Sequence, residues 1–122
     1  MRTVSVLWPL VCLSACSGPA APDVAVCQDV VTRLCQTATC PGVGPQLAPG
    51  LDCQFSLQER TGCGAEDFTF TTPSRERFLD CRELLLSNGT SLEQPPSCGD
   101  TLRFLNECQD VAGFFREQEG VP

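Results

Sequence analysis

The chain contains no histidine, lysine, tyrosine or isoleucine, and these absences limit the chemistry that it can perform. Histidine, lysine and tyrosine supply most general bases and many activated nucleophiles, so catalysis would have to rely on carboxylates and hydroxyls. All eight basic residues are arginines, scattered among fifteen acidic residues, and the formal net charge is −7. Because nucleic-acid recognition usually needs a clustered basic face, we expect no nucleic-acid partner.

The cysteine spacing argues against a metal centre and against a redox site. Zinc sites usually place cysteines two to four residues apart and add histidine. After residue 16 the closest pair is Cys35 and Cys40, no second such pair follows, and histidine is absent. The Cys-x-x-Cys motif of dithiol redox enzymes does not occur either. We therefore predict no metal and no cofactor.

The amino terminus has the pattern of a targeting segment. Residues 1–3 include one arginine, residues 4–13 form an apolar run, and small residues follow it. The run is too short to cross a bilayer, which requires about 20 predominantly apolar residues. Its length instead matches the core of a signal peptide.

The motif Leu13-Ser14-Ala15-Cys16 resembles the lipobox of bacterial lipoprotein precursors. The resemblance implies that residues 1–15 are removed as a lipoprotein signal peptide and that Cys16 receives a diacylglyceryl thioether. Ser17 at the next position resembles the outer-membrane sorting pattern, so the resemblance implies an exported protein that is lipid-anchored in the bacterial outer membrane. The alternative is an ordinary cysteine after a secretory signal cleaved nearby.

Cysteine parity supports this division of the chain. Cys12 lies in the signal core and Cys16 is assigned to the lipid, so eight of the ten cysteines remain. An even number in a small exported domain indicates disulfides formed in an oxidising compartment. These predicted disulfide residues are Cys27, Cys35, Cys40, Cys53, Cys63, Cys81, Cys98 and Cys108.

The mature part is predicted to be mainly α, a small disulfide-rich bundle of three to four short helices. Residues 16–23 form the lipidated cysteine and a flexible tether, residues 24–118 a single domain, and residues 119–122 a frayed tail. Asp23 is predicted to cap the first helix, whose core stripe is Cys27, Val30, Val31, Leu34 and Cys35, with Gln28, Asp29, Thr32 and Arg33 on the other side. Residues 40–53 hold three prolines and three glycines and are predicted to be a loop pinned by disulfides.

The second half of the domain gives further helix signals. Residues 51–72 fit either a short helix over 52–60 followed by irregular chain, which we favour, or a β-hairpin. Thr72-Pro73 predicts a helix start and Asn88-Gly89 its end, with Phe78, Cys81, Leu84 and Leu85 inside. Asp100 is predicted to cap a last helix that buries Phe104, Leu105, Cys108, Val111, Ala112 and Phe115.

Sequence geometry leaves the disulfide pairing open. Cys27 and Cys35 on one helix would lie about 12 Å apart along its axis, too far to pair with each other. The nine-residue gaps of Cys53 to Cys63 and Cys98 to Cys108 resemble the twin Cys-x9-Cys pattern of two doubly bridged antiparallel helices. That resemblance implies the pairs Cys53–Cys108 and Cys63–Cys98.

The residue composition and cysteine spacing of two segments resemble those of small cysteine-rich helical lipoproteins of myxobacteria. These segments are Gly62-Cys63-Gly64-Ala65-Glu66 and Phe78-Leu79-Asp80-Cys81. This similarity implies a helical fold and no particular activity. We therefore expect a non-enzymatic binding or structural module of the cell envelope, held at the membrane by its lipid anchor, with an envelope protein or glycan as partner. Two alternatives remain: an inhibitor-like secreted module presenting residues 40–53, and a small envelope hydrolase using one of the carboxylate pairs Glu66/Asp67, Glu76/Asp80 or Glu107/Asp110.

Overall fold

The computed structural model describes residues 21–116, and every regular element within them is helical. The helices are α1 (Asp23–Gln36), α2 (Val43–Leu47), α3 (Cys53–Thr61), α4 (Arg75–Arg82), α5 (Cys98–Glu107) and α6 (Gln109–Phe115). A 3₁₀ turn, Glu83–Leu86, extends α4. The predicted mainly helical, disulfide-rich bundle is confirmed, and residues 51–72 form a helix and irregular chain rather than a hairpin. The predicted signal peptide, Cys16, most of the tether and the tail lie outside the described residues.

The described residues hold six helices instead of three to four, and the two additional ones have local causes. Residues 40–53 were predicted to be a loop, but Val43 and Leu47 are fully buried and the chain between them forms one helical turn, α2. The predicted last helix is divided at Cys108, which has a non-helical φ of −118° and ψ of 61°. Cys108 is also bonded to Cys81, so it both ends α5 and fixes the start of α6.

The start of α1 differs from its prediction, because Pro22 occupies the N-cap position and Asp23 is the first helical residue. The Asp23 carboxylate accepts a hydrogen bond from the Phe70 N–H at 2.9 Å and forms an ion pair with Arg75. Arg75 also donates to the Ala21 carbonyl at 2.6 Å, and Ala21 is buried. The described residues 21–23 are therefore attached to the rest of the domain.

The caps of α4 and α5 are serines, in place of the predicted Thr72 and Asp100. The Ser74 hydroxyl accepts a hydrogen bond from the third amide of α4 at 3.3 Å, so that helix begins after Thr72-Pro73. The Ser97 hydroxyl accepts one from the Asp100 N–H at 3.0 Å, which places Asp100 inside the first turn. Both serines have the extended backbone that a capping residue requires.

Four disulfides use all eight predicted cysteines, in the pairs Cys27–Cys63, Cys35–Cys53, Cys40–Cys98 and Cys81–Cys108. The pairs Cys53–Cys108 and Cys63–Cys98, implied by the twin Cys-x9-Cys resemblance, are wrong. Two bridged antiparallel helices do occur, but the partner of α3 is α1. Both ends of residues 40–53 are bridged, as predicted. Such a density of disulfides indicates folding in an oxidising compartment.

The helices enclose one core in which phenylalanine rings are prominent. Phe78 is fully buried and its ring centroid lies 4.2 Å from that of Phe70, 5.1 Å from that of Phe114 and 5.8 Å from that of Phe115. Rings at such separations contribute about 0.5–1.5 kcal/mol per pair beyond area burial. The predicted core positions of α1, α4 and the last helix are buried, apart from the half-buried Cys35 and Leu84. Phe78 thus joins α4 to α6 and to the irregular segment before α4.

A surface ion pair reinforces the contact between α4 and α6. Arg77 donates two hydrogen bonds of 2.9 Å to the two carboxylate oxygens of Asp110. These hydrogen bonds hold the pKa of the Asp110 carboxyl below its ordinary value. A lowered folded-state pKa stabilises the protein only while the carboxyl is ionised. The contribution is therefore present above the unfolded-state pKa and is lost as the pH falls through the folded-state pKa.

We predict that Arg77→Gln raises the pKa of Asp110 towards its ordinary value, because the bidentate donor is removed. A carbon-13 NMR titration of the carboxyl groups measures this shift directly. Arg103→Gln is the matched control, since Arg103 pairs with Glu107 at 3.3 Å and leaves Asp110 untouched. An Asp110 midpoint that is the same in wild type and Arg77→Gln would contradict the ion pair.

The disulfides are predicted to stabilise the fold according to the loops that they close. Cys40–Cys98 spans 58 residues and Cys35–Cys53 spans 18. Loop-closure entropy predicts a loss of about 4 kcal/mol for Cys40→Ser/Cys98→Ser and about 3 kcal/mol for Cys35→Ser/Cys53→Ser. None of the four cysteines is fully buried, which limits cavity effects. Denaturant unfolding without reductant measures both losses, and the opposite order would contradict the loop-closure explanation.

Candidate functional site

The predicted site residues are placed as follows. Cys16, the predicted lipid-attachment residue, lies outside the described residues. The eight cysteines from Cys27 to Cys108 are all bridged, so the described part of the chain carries no free thiol. Within residues 21–116, no group of three or more histidine, cysteine or acidic side chains is placed to hold a metal ion.

The three carboxylate pairs considered for hydrolysis lie on the surface. Two of their members are held by arginines of the same domain: Glu107 pairs with Arg103 at 3.3 Å, and Asp110 pairs with Arg77 at 2.9 Å. All six carboxylates of these pairs are exposed: Glu66, Asp67, Glu76, Asp80, Glu107 and Asp110. Glycosidase chemistry requires two carboxyl groups facing each other across a cleft.

The segment that suggested an inhibitor-like role is tied to the core. Val43 and Leu47 of α2 are fully buried, and disulfides close both ends of residues 40–53. Arg60 of α3 donates to the Leu47 carbonyl at 2.6 Å and to the Phe115 carbonyl at 3.2 Å. Arg60 therefore satisfies carbonyls at the ends of α2 and α6, which have no partner within their own helices.

A cluster of buried charges lies between α1 and α4. Asp29 Oδ2 accepts a hydrogen bond from Arg33 Nε at 2.9 Å and another from Arg82 Nε at 2.8 Å. Arg33 Nη2 donates to the Thr90 carbonyl at 2.5 Å, which links α1 to the loop before α5. The side chain of Arg33 is fully buried, and those of Asp29 and Arg82 are 3% and 6% exposed. One carboxylate thus compensates two arginines inside the protein.

Sequence analysis missed this cluster because it placed Asp29 and Arg33 on the polar side of α1. Both residues are buried, so that expectation is wrong. Their i, i+4 spacing was a visible sign that the two side chains pair. The partner that turns the pair inward, Arg82, lies 53 residues further along the chain and has no local signal.

An open depression of about 430 Å³ lies on the outer face of α3. Phe55, Gln58, Glu59 and Gly62 line it at the i, i+3, i+4 and i+7 positions of that helix, and Gly64 and Ala65 complete the wall. Of the seven phenylalanines, Phe55 alone is classed as exposed, with 59% of its surface accessible. A depression lined by an aromatic side chain together with a few polar groups is typical of a binding site.

The end wall of the depression is held rigidly by the turn that follows α3. Gly62 has a left-handed φ of 84° and ends the helix, and Cys63 next to it is fully buried in the bridge to Cys27. Gln28 of α1 donates to the Cys63 carbonyl at 2.8 Å. A Cβ added at Gly64 would lie 3.7 Å from Gln58 Oε1, so a side chain there would fill space next to Gln58 without a clash.

The depression has one acidic residue on its wall, and three more lie next to its lining residues in the sequence. Glu59 is on its wall, Asp52 caps the start of α3, and Glu66 and Asp67 follow Ala65 directly in the chain. All four are exposed, and none forms an ion pair with any residue between 21 and 116. Arg60, the arginine of α3, is engaged with the carbonyls of α2 and α6 on the opposite side of the helix.

No family model, curated protein or solved structure matches the chain. None of the described helices is both long enough and apolar enough to cross a membrane. The fold and the sites therefore define the protein at the level of a small disulfide-bonded helical bundle with an acidic surface depression on α3.

We predict that Asp29→Asn lowers the free energy of unfolding by about 3–5 kcal/mol, because it removes the buried carboxylate charge that Arg33 and Arg82 both bind. Denaturant unfolding with the disulfides intact measures the loss. The matched control is Asp110→Asn, which breaks a pair whose two side chains are nearly half exposed and is expected to change the midpoint little. Equal losses of unfolding free energy in the two variants would contradict the prediction, because they would show that burial of Asp29 does not increase the cost of removing its charge.

Proposed function

We propose that the chain is the precursor of a bacterial lipoprotein, anchored through acylated Cys16 to the cell envelope and sorted to the outer membrane. In this proposal the mature domain is a binding or structural module and has no catalytic role. The lipobox Leu13-Ser14-Ala15-Cys16 and the apolar segment before it provide the targeting half of the argument.

The use of the thiols is the observation that carries the proposal. Every cysteine from Cys27 onward has a disulfide partner within the domain. Cys16 consequently has no intramolecular cysteine left to pair with once the signal segment containing Cys12 is removed. A lipid thioether accounts for the remaining sulfur, and the disulfides require the oxidising compartment to which a signal peptide leads.

The short distance between Cys16 and the domain fits an anchored module. Ala21, five residues after Cys16, is buried against the domain. Five residues of fully extended chain span at most about 18 Å. Because Arg75 holds the Ala21 carbonyl and the Asp23 carboxylate, the start of α1 is fixed to the rest of the domain. Anchoring at Cys16 would therefore keep the whole bundle close to the bilayer.

The surface of the domain supports a binding or structural role over hydrolysis. The six carboxylates of the predicted catalytic pairs are exposed, and two of them are paired with arginines. The depression on α3 instead combines an aromatic side chain, an amide and a carboxylate on a rigid frame, which is the composition of a contact site. A protein or glycan of the envelope is the kind of partner that such a module would meet.

We predict that Cys16→Ala abolishes both acylation and membrane association when the precursor is produced in a Gram-negative host. Intact-mass analysis of the exported protein measures acylation, and separation of inner and outer membranes on a density gradient measures location. Cys12→Ala is the matched control, because it removes the other amino-terminal thiol and leaves the lipobox intact. An unacylated wild-type protein released without its lipid, or one acylated equally in Cys16→Ala, would overturn the proposal.

A further inference from the structure

The outer face of α3 has features of a contact surface that the core packing does not explain. Leu57 and Thr61 of α3 face the core, whereas Phe55, Gln58, Glu59 and Gly62 form the opposite stripe and line the depression. Phe55 is 59% exposed, and Leu51, just before the helix, is fully exposed. An exposed aromatic side chain on the wall of a concave site is a typical feature of a binding site.

We infer that this face binds a polypeptide segment of a partner protein that carries arginine or lysine beside an apolar side chain. The inference deepens the proposed binding role and rests on that part of the proposed function. The apolar side chain would contact Phe55 in the depression, and the cation would lie near Glu59 and the ring of Phe55. A cation over an aromatic face contributes about 0.5–1 kcal/mol at an exposed site.

Charge complementarity decides the chemistry of the partner. Glu59 lies on the wall of the depression, and Asp52, Glu66 and Asp67 are near its lining residues in the sequence; none of the four forms an ion pair with a described residue. The arginines between residues 21 and 116 all donate to groups elsewhere in the domain, at Asp29, Asp23, Asp110, Glu107, Gln46 and helix-end carbonyls. Because the arginines of residues 21–116 are engaged in these contacts, we expect another molecule to supply the positive charge that complements this face.

The same charges disfavour other occupants. A second copy of the chain has a net charge of −7 and would present more acidic groups than basic ones to this face. A surface of anionic lipid would be repelled as well. A neutral glycan could contact Phe55 and Gln58, but it would leave the four carboxylates without counter-charges.

The test uses the exported full-length protein, purified in detergent, with its acylation and its disulfides verified by mass on the same sample. The probe is a fluorescent nonapeptide in which arginine alternates with leucine, and binding is followed by anisotropy against empty micelles as background. Two control peptides separate the contributions: one carries citrulline for arginine, which removes only the charge, and the other carries serine for leucine. We expect each control peptide to bind about tenfold more weakly than the probe.

Three variants localise the binding. Gly64→Leu fills the depression from a position where an added Cβ makes only ordinary contacts, and we expect it to weaken probe binding at least tenfold. Glu59→Gln removes one exposed charge and is expected to weaken binding about three- to fivefold, the range of an exposed ion pair. Glu83→Gln is the matched control, because Glu83 is exposed in the 3₁₀ turn and does not line the depression. It is expected to leave the affinity unchanged.

The outcomes separate this inference from the lipoprotein proposal. Probe binding that is equal for the citrulline peptide, or that survives Gly64→Leu, overturns the inference even if Cys16 is acylated. Displacement of the probe by uncharged envelope oligosaccharide, or self-association that Gly64→Leu abolishes, overturns it in favour of a glycan or a second copy. Probe binding by a protein that lacks acylation would leave the inference standing and overturn the lipid anchor alone.

Discussion

The covalent connection of α1 to α3 is the constraint on which the rest of the structure depends. Cys27 and Cys35 lie about 12 Å apart along α1, and they meet Cys63 and Cys53 at the two ends of α3. Two bridges of this kind fix the direction, the register and the separation of both helices. The remaining bridges then attach α5 to the segment before α2, and α4 to the junction of α5 and α6. A small core can be stable under these conditions because the unfolded chain has lost much of its conformational freedom.

The disulfide-linked arrangement of the helices also determines which charged side chains are buried and which are exposed. Asp29 and Arg33 are drawn into the interior of the bundle because α1 packs against α4, from which Arg82 reaches the same carboxylate oxygen. Arg60 and Arg75 are likewise used inside the domain, on helix-end carbonyls and at the start of α1. Since Arg33, Arg60, Arg75 and Arg82 serve contacts within the domain, the described surface keeps an excess of carboxylates. The acidic face of α3 is therefore a consequence of how the bundle is held together.

The turn after α3 is held by the bridge to α1, and it forms the wall of the depression that the proposed binding role uses. The bridge from Cys63 to Cys27 and the hydrogen bond from Gln28 to the Cys63 carbonyl fix the wall that carries Gly62 and Gly64. Cys27 belongs to the first half of α1, the helix that begins two residues after Ala21. A lipid at Cys16 would thus hold the domain by the helix that also supports the depression. Anchoring and recognition would then share one structural element.

Local patterns in the sequence determined the helical class, the buried stripes of α1, α4 and the last helix, and the set of eight paired cysteines, because periodicity and parity depend on neighbouring residues and on composition. They did not determine which residue caps α4 or α5, because each helix start offers two candidates. Ser74 caps α4 in place of Thr72, and Ser97 caps α5 in place of Asp100. The disulfide partners, the inward position of Asp29 and Arg33, and the depression beside Phe55 were decided only by the tertiary structure. Each of these requires groups distant in the chain, such as Arg82 or Cys63, to be brought together, and the free energy of such contacts depends on packing that no local pattern records.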